Sequence, residues 1–285
     1  MSIITFVNNI KEETGKSMSL VAIATYMAIE YNNKVLVVST TNNQDKIKSC
    51  FFEDKQVKKI RFGIFGENKS TVDNEAGIES IAKIIRSNRL TPEMITNYTK
   101  VVFKDRLEIL LGAEKKENQN EDEKIQINEE YVNLLATASS YYDKIFVDLD
   151  ENITEDVKQK IINMSDLVIV NSSQNYRSLQ KLKENKQKSE LLNLPKTLFL
   201  IGRYDKHSKY NSKNITRYLE EKNQVLTIPY NTLFFEALNE AKVPDLFLKF
   251  KKLYDSEDRN AIFIEEIKRA SENIVYRIQE LQARM

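Results

Sequence analysis

Residues 2–39, SIITFVNNIKEETGKSMSLVAIATYMAIEYNNKVLVVS, decide the fold. Ser2–Val7 (SIITFV) is a short β-branched and aromatic run, and Lys34–Ser39 (KVLVVS) is a continuous apolar run of the kind found in strands buried on both faces. Between them Met18–Tyr31 (MSLVAIATYMAIEY) has a helical pattern, entered through the polar stretch NNIKEETGKS. Strand, loop, helix and strand form one βαβ unit, with parallel strands and a right-handed crossover.

Working outward, the same alternation returns after an irregular middle. Ile78–Arg86 reads as an amphipathic helix and Arg106–Leu111 as a short strand. Lys115–Glu130 is charge-dense and reads as a solvated loop or helix start, followed by a helix over Tyr131–Ser140. Lys144–Asp148, Asp166–Asn171, Thr197–Arg203 and Val225–Pro229 read as strands, separated by helices over Glu155–Met164, Tyr176–Ser189 and Ser212–Glu221. This order predicts an α/β fold, a doubly wound and mostly parallel sheet flanked by helices. Residues 1–250 form its domain, and residues 251–285 a C-terminal helical extension. In that extension Ile264, Ile267, Ile274, Ile278, Leu281 and Met285 recur at helical spacing. The stripe is expected to pack on the domain or on a second copy. Peripheral membrane association is the weaker reading, because glutamates offset the basic residues of the polar face.

Composition narrows the function. The chain has 285 residues, with 43 Lys+Arg against 42 Asp+Glu, a net charge of +1. Near neutrality removes a global attraction to nucleic acid or acidic membranes and leaves only local patches. The single Cys50 excludes a disulfide framework and fits a reducing compartment. With one His as well, His207, Cys–His and multi-His sites drop out. No apolar run is long enough to span a membrane, and the N-terminus lacks the features of a signal peptide. A cytoplasmic protein is expected, and the Lys-, Asn- and Ile-rich usage suits a bacterial one. There are 6 glycines, where ordinary usage would give about 20. That scarcity argues against an all-β fold and against a glycine-rich cofactor loop.

Lys11–Ser17 (KEETGKS) nevertheless sits where a phosphate-binding loop would, between the first strand and the first helix. Such a loop needs inward-turned N–H groups, a helix N-terminus aimed at the anion, a lysine and a hydroxyl for Mg²⁺. Gly15, Lys16 and Ser17 supply that ending, but Ile10 stands where the full motif has its first glycine. The alternative is a plain helix start capped by Thr14 or Ser17.

The chain resembles the ParA/MinD family of deviant P-loop ATPases, whose loop carries a signature lysine ahead of the usual one. Lys11 falls at that position, Lys16 and Ser17 at the usual lysine and hydroxyl, and Glu12 and Glu13 at two glycine positions. Tyr142–Asp148 (YDKIFVD), Ser165–Asn171 (SDLVIVN), Leu200–Asp205 (LIGRYD), Ile228–Asn231 (IPYN) and Phe235–Lys242 (FEALNEAK) are similar to later family segments, in order. The resemblance implies a cytoplasmic homodimer binding ATP and Mg²⁺. It implies Lys11 and Lys16 as catalytic lysines, Thr14, Gly15, Lys16, Ser17, Arg203 and Pro229 as nucleotide-binding, and Ser17 and Asp148 as metal-linked. Gly202 replaces the asparagine of the base-contacting segment.

Departures fall on the chemistry. The second strand ends Val38, Ser39, Thr40, Thr41, where the family has a carboxylate that positions the attacking water. Phosphoryl transfer rests on positioning and charge stabilisation, so hydrolysis is expected to be weak or lost. Glu12 and Glu13 add negative charge beside a polyphosphate. Each like-charge contact at close range costs about 3–4 kcal/mol, unless the glutamates pair with Lys11 and Lys16 or swing outward. A degenerate loop of this kind resembles the TadZ/CpaE branch, which implies a positioning or scaffold factor in pilus or secretion-machinery assembly with a protein partner at a cellular site. The other reading is a working partition ATPase that binds DNA non-specifically through Lys206, Lys209, Lys213 and Arg217. A second basic run, Lys181, Lys183, Lys186 and Lys188, reads as a solvated face.

Overall fold

The computed structural model describes residues 1–10, 12–41, 45–53, 76–113, 121–251, 253 and 258–284. The opening unit forms as β1 (Ser2–Asn8), α1 (Lys16–Glu30) and β2 (Val35–Ser39). Then come α2 (Asp45–Phe51), α3 (Ile78–Arg86), β3 (Lys100–Phe103), β4 (Leu107–Leu110) and α4 (Glu121–Ala138). The regular alternation follows as β5 (Lys144–Asp148), α5 (Glu155–Met164), β6 (Leu167–Ser172), α6 (Tyr176–Lys186), β7 (Thr197–Tyr204), α7 (Ser212–Tyr218) and β8 (Leu226–Pro229). Three helices close the chain, α8 (Thr232–Asn239), α9 (Val243–Phe250) and α10 (Arg259–Gln282).

The strands form one sheet in the order β3-β4-β2-β5-β1-β6-β7-β8, parallel throughout except for β3, which runs antiparallel to β4. Period-two alternation splits the core between the faces. Ile4 and Phe6 of β1 join the layer that holds α1, α8, α9 and α10, while Ile3 and Val7 join the layer that holds α3 to α6. In α10, Phe263, Ile267, Ala270, Ile274 and Ile278 are buried, and the helix packs on α1 and β8. The stripe thus meets its own domain, with Ile264 and Leu281 partly buried beside it. Met285 lies outside the described residues.

Some expected boundaries move. Tyr131–Ser140 is the second half of α4, which begins at Glu121. The charge-dense segment is therefore helical from that residue on, because Glu, Lys and Gln form helix readily without an apolar stripe. Residues 114–120 lie outside the described set. The expected helices at Tyr176–Ser189 and Ser212–Glu221 stop earlier, at Lys186 and Tyr218.

Candidate functional site

β1 lies near the centre of the sheet, between β5 and β6. The chain leaves its carboxyl end through residues 9–15 and enters α1. In open parallel sheets the crevice beyond the carboxyl ends, where connections diverge to opposite faces, is the place for a ligand. Thr14 is buried and donates its hydroxyl to Asn8 Oδ1 (2.6 Å). Gly15 follows in the left-handed conformation (φ 78°, ψ 19°), and no side chain caps α1. Neither Thr14 nor Ser17 is the cap that a plain helix start would use, and the first-turn N–H groups are left for an anion.

Lys16, at the start of α1, is 9% exposed. Its Nζ pairs with Asp148 Oδ1 at 2.9 Å and donates to the Leu149 carbonyl. Ser17 Oγ donates to the other Asp148 oxygen at 2.7 Å. Asp148 is the last residue of β5, which pairs with both β1 and β2. Parallel pairing thus brings Asp148 to the adjacent Lys16 and Ser17, 131 residues from the latter in sequence.

Neither described glutamate pairs with Lys16, in contrast to the loop-internal pairing that charge alone suggests. Glu12 accepts from Ser178 Oγ (2.7 Å) and lies 3.6 Å from Lys181 Nζ, so it is drawn to the first turn of α6, where a negative charge is favoured. Glu13 pairs with Arg203 at 3.4 Å and is largely exposed. Both glutamates are thus paired outside the loop, and both still line the cleft that Lys16 and Ser17 share. Lys11 lies outside the described residues.

The opposite wall is the end of β7. Pairing with β8 slips between Ile201 and Tyr204, and Arg203 takes a left-handed backbone (φ 52°). This bulge turns its guanidinium toward Glu13 and the Met18 sulfur (3.9 Å). A Cβ at Gly202 would stand 2.4 Å from the Thr14 carbonyl oxygen, so the loop sits closer to β7 than an asparagine there would allow.

Beside these walls is a cleft of about 680 Å³, lined by Glu12, Glu13, Gly15, Lys16, Ser17, Asp148 and Arg203 and also by Phe235 and Leu238. Pro229 is not part of it. It lines a separate fissure of about 10 Å³ beside Gly15 and Arg203.

Thr40 is a positioning residue for the end of β5 that motif reading misses. It is buried, accepts from the Asp150 N–H (2.8 Å) and donates to the Asp148 carbonyl (3.2 Å). This hydroxyl, just past the end of β2, holds the exit of β5 in position. Its signal in the sequence was the neutral ending of β2, which reads only as a loss until the partners are seen. Cys50 also lines the cleft, yet burial pushes its thiol up to about 12, leaving it a packing residue.

Among the described residues no group of three or more His, Cys, Asp or Glu could hold a metal on its own. A hydroxyl and a carboxylate side by side, Ser17 and Asp148, are instead the hard oxygen donors that suit Mg²⁺ shared with phosphates.

The architecture is that of the P-loop nucleotide triphosphatases. More narrowly, it is the fold of the ParA and MinD ATPases. A ParA family ATPase from Chlorobium tepidum superposes with a TM-score of 0.65 at 16% identity, over 94% of this chain and 98% of that one. A putative plasmid partition protein from Borrelia burgdorferi, solved bound to AMPPNP, gives 0.58 at 21% identity over 98% of each chain. The septum site-determining protein MinD from Pyrococcus horikoshii, complexed with Mg-ADP, gives 0.60 at 15% identity over 93% of each. No protein-family model and no curated protein matches the sequence itself.

Proposed function

We propose that this chain binds a Mg²⁺-nucleotide at the start of α1 and acts as a ParA/MinD-type positioning or scaffold protein with weak or lost ATP hydrolysis. One observation carries the reading. Lys16, Ser17 and Asp148 converge on an uncapped helix N-terminus, while β2 runs out into the neutral Ser39, Thr40 and Thr41. Binding groups are present, and the water-positioning carboxylate is not at the end of that strand. The nucleotides named for the Borrelia and Pyrococcus proteins support ATP and Mg²⁺ as ligands. Thr14, Gly15, Lys16 and Ser17 would hold the phosphates, with Ser17 and Asp148 on the metal, and Arg203 would reach the nucleoside. Residues 1–250 act as the nucleotide-binding unit, and residues 251–285 extend it. No helix among the described residues is long and apolar enough to cross a membrane, and we place the protein in a bacterial cytoplasm. It acts there as a homodimer that marks a cellular site, such as a pilus or secretion assembly of TadZ/CpaE type, for a protein partner.

Calorimetry with Mg·ATP, paired with phosphate release, tests this. Wild type should bind and Lys16→Ala should lose at least about tenfold in affinity, the equivalent of ~1.4 kcal/mol. Phosphate release should be slow in both. Rapid, Lys16-dependent hydrolysis would overturn the scaffold reading, and absence of binding would overturn the nucleotide reading.

A second reading, a partition ATPase that binds DNA, is favoured by the fate of the two basic runs. Lys181, Lys183 and Lys186 pair with Glu12, Glu220 and Glu221. Lys206, Lys209, Lys213 and Arg217 are exposed, and among the described residues none of their ion pairs is seen. Four phosphate contacts would cost about a hundredfold in affinity between ~50 and ~200 mM salt. Reversing the charge at Lys209 and Lys213 should weaken a DNA gel shift under this reading alone.

A further inference from the structure

One lysine of the 181–188 run stands apart. Lys181, Lys183 and Lys186 each have a glutamate. Lys188, two residues past the end of α6, is exposed and has no carboxylate partner among the described residues. It lines a second pocket, of about 230 Å³, together with Lys158, Asn9, Asn185 and Ser189. Val7 and Leu192 of this pocket belong to the layer that holds α3 to α6, whereas Cys50 and Leu238 of the main cleft belong to the other layer. Among the described residues the two cavities share only Asn8.

The second pocket has spare donors and few spare acceptors. No Asp or Glu is among the described residues that line it. Asn8 Oδ1 already accepts from the Thr14 hydroxyl (2.6 Å), and Asn9 Oδ1 from Asn185 Nδ2 (3.2 Å). The Asn185 carbonyl, in the last turn of α6, accepts the N–H groups of Lys188 and Ser189 (3.0 and 2.9 Å), which covers the negative end of that helix. Asn9 Nδ2, by contrast, is buried and meets no acceptor, an uncommon state for a buried amide. Turning that amide over would set its nitrogen against the Asn185 nitrogen. Lys158 is engaged only by Glu155, 3.3 Å away on the same helix and largely exposed, a kind of pair that holds its partners weakly. Ammonium and amide donors gathered without a carboxylate suit a ligand that carries acceptors and negative charge.

We infer that this pocket binds a small oxoanion, a phosphate or carboxylate group with a short apolar body against Val7, Leu191 and Leu192. Lys188 supplies the charge, and the Asn9 amide gains the acceptor it lacks. The inference stands apart from the nucleotide reading, because it uses none of Lys16, Ser17 and Asp148.

Inorganic phosphate and propionate are titrated into wild type and Lys16→Ala, by calorimetry and by ¹⁵N NMR, with sodium chloride at equal ionic strength as the reference. At least one anion should bind both proteins and shift the side-chain amide signal of Asn9. Phosphate alone marks a phosphomonoester ligand, and propionate alone marks a carboxylate. Lys188→Ala should weaken that binding by about tenfold, and Lys188→Arg should retain most of it. Lys188 is exposed, so its replacement should leave the urea midpoint unchanged, which shows that the variant is folded. Three results overturn the inference: chloride reproducing the effect of both anions, binding indifferent to Lys188→Ala, or an Asn9 signal that stays still. Binding that vanishes in Lys16→Ala belongs to the main cleft and overturns it too, while supporting the nucleotide reading.

Discussion

Gly202 is fixed by what lies above it. With the Thr14 carbonyl oxygen 2.4 Å from where a Cβ would stand, even an alanine must push the loop away or bend β7. Gly202→Ala should cost about 1–3 kcal/mol, read as a lower urea midpoint. Thr40 is the second constrained residue. Thr40→Val removes a donor and an acceptor that join Asp148 and Asp150 and should cost about 1–3 kcal/mol, while Thr40→Ser should restore most of it. Mg²⁺-dependent ATP affinity should follow the same order, because Asp148 then loses its fixed position. Titration gives a third expectation. Burial raises the phenols of Tyr131 and Tyr142, the latter helped by the neighbouring Glu108 carboxylate, and lifts the Cys50 thiol. The folded chain holds these protons more tightly than the unfolded one. Their contribution to stability is therefore full below the ordinary thiol and phenol range of about 8.5–10 and falls as pH rises through and past it. Burial lowers Lys144 and Lys196, which pull the other way. Urea midpoints measured from pH 8 to 10.5 should decline, and a flat profile would refute the balance. The position of Lys16 and Ser17 between the first strand and the first helix was legible from loop order, and the family resemblance pointed to Asp148, which the fold sets beside them. The partners of Glu12 and Thr40 were not legible, because Ser178 and Asp150 lie 166 and 110 residues away and meet them only in the fold.

At the scale of elements, apolar runs made β1, β2, β5, β6, β7 and β8 readable, since strands buried on both faces need no alternation to be noticed. β3 escaped reading because it has four residues and its burial is incomplete. α2 escaped because seven residues carry too little periodicity. The beginning of α4 was masked by its charge, which solvates a helix face as readily as a loop. The periodic stripe of α10 was legible, and its burial makes it a structural member of the core. Ile274 is fully buried, so Ile274→Ala should cost about 2–5 kcal/mol, measured by urea unfolding. A loss below about 0.5 kcal/mol would mean that α10 docks only loosely on α1 and β8.

For the whole molecule, a net charge of +1 hides an uneven surface. In one basic run Lys181, Lys183 and Lys186 pair with glutamates, and the other is exposed along the β7–α7 connection and α7. The position of β1 reaches further than the site it supports. Its neighbours in the sheet are β5 and β6, which are complete only at Asp148 and Ser172. A ribosome adds roughly 5–20 residues per second, so the first strand waits roughly ten to thirty seconds for both partners. During that interval its apolar residues have no sheet to join. The segment that joins β1 to α1 is made before either of these strands and takes its place only once both have followed.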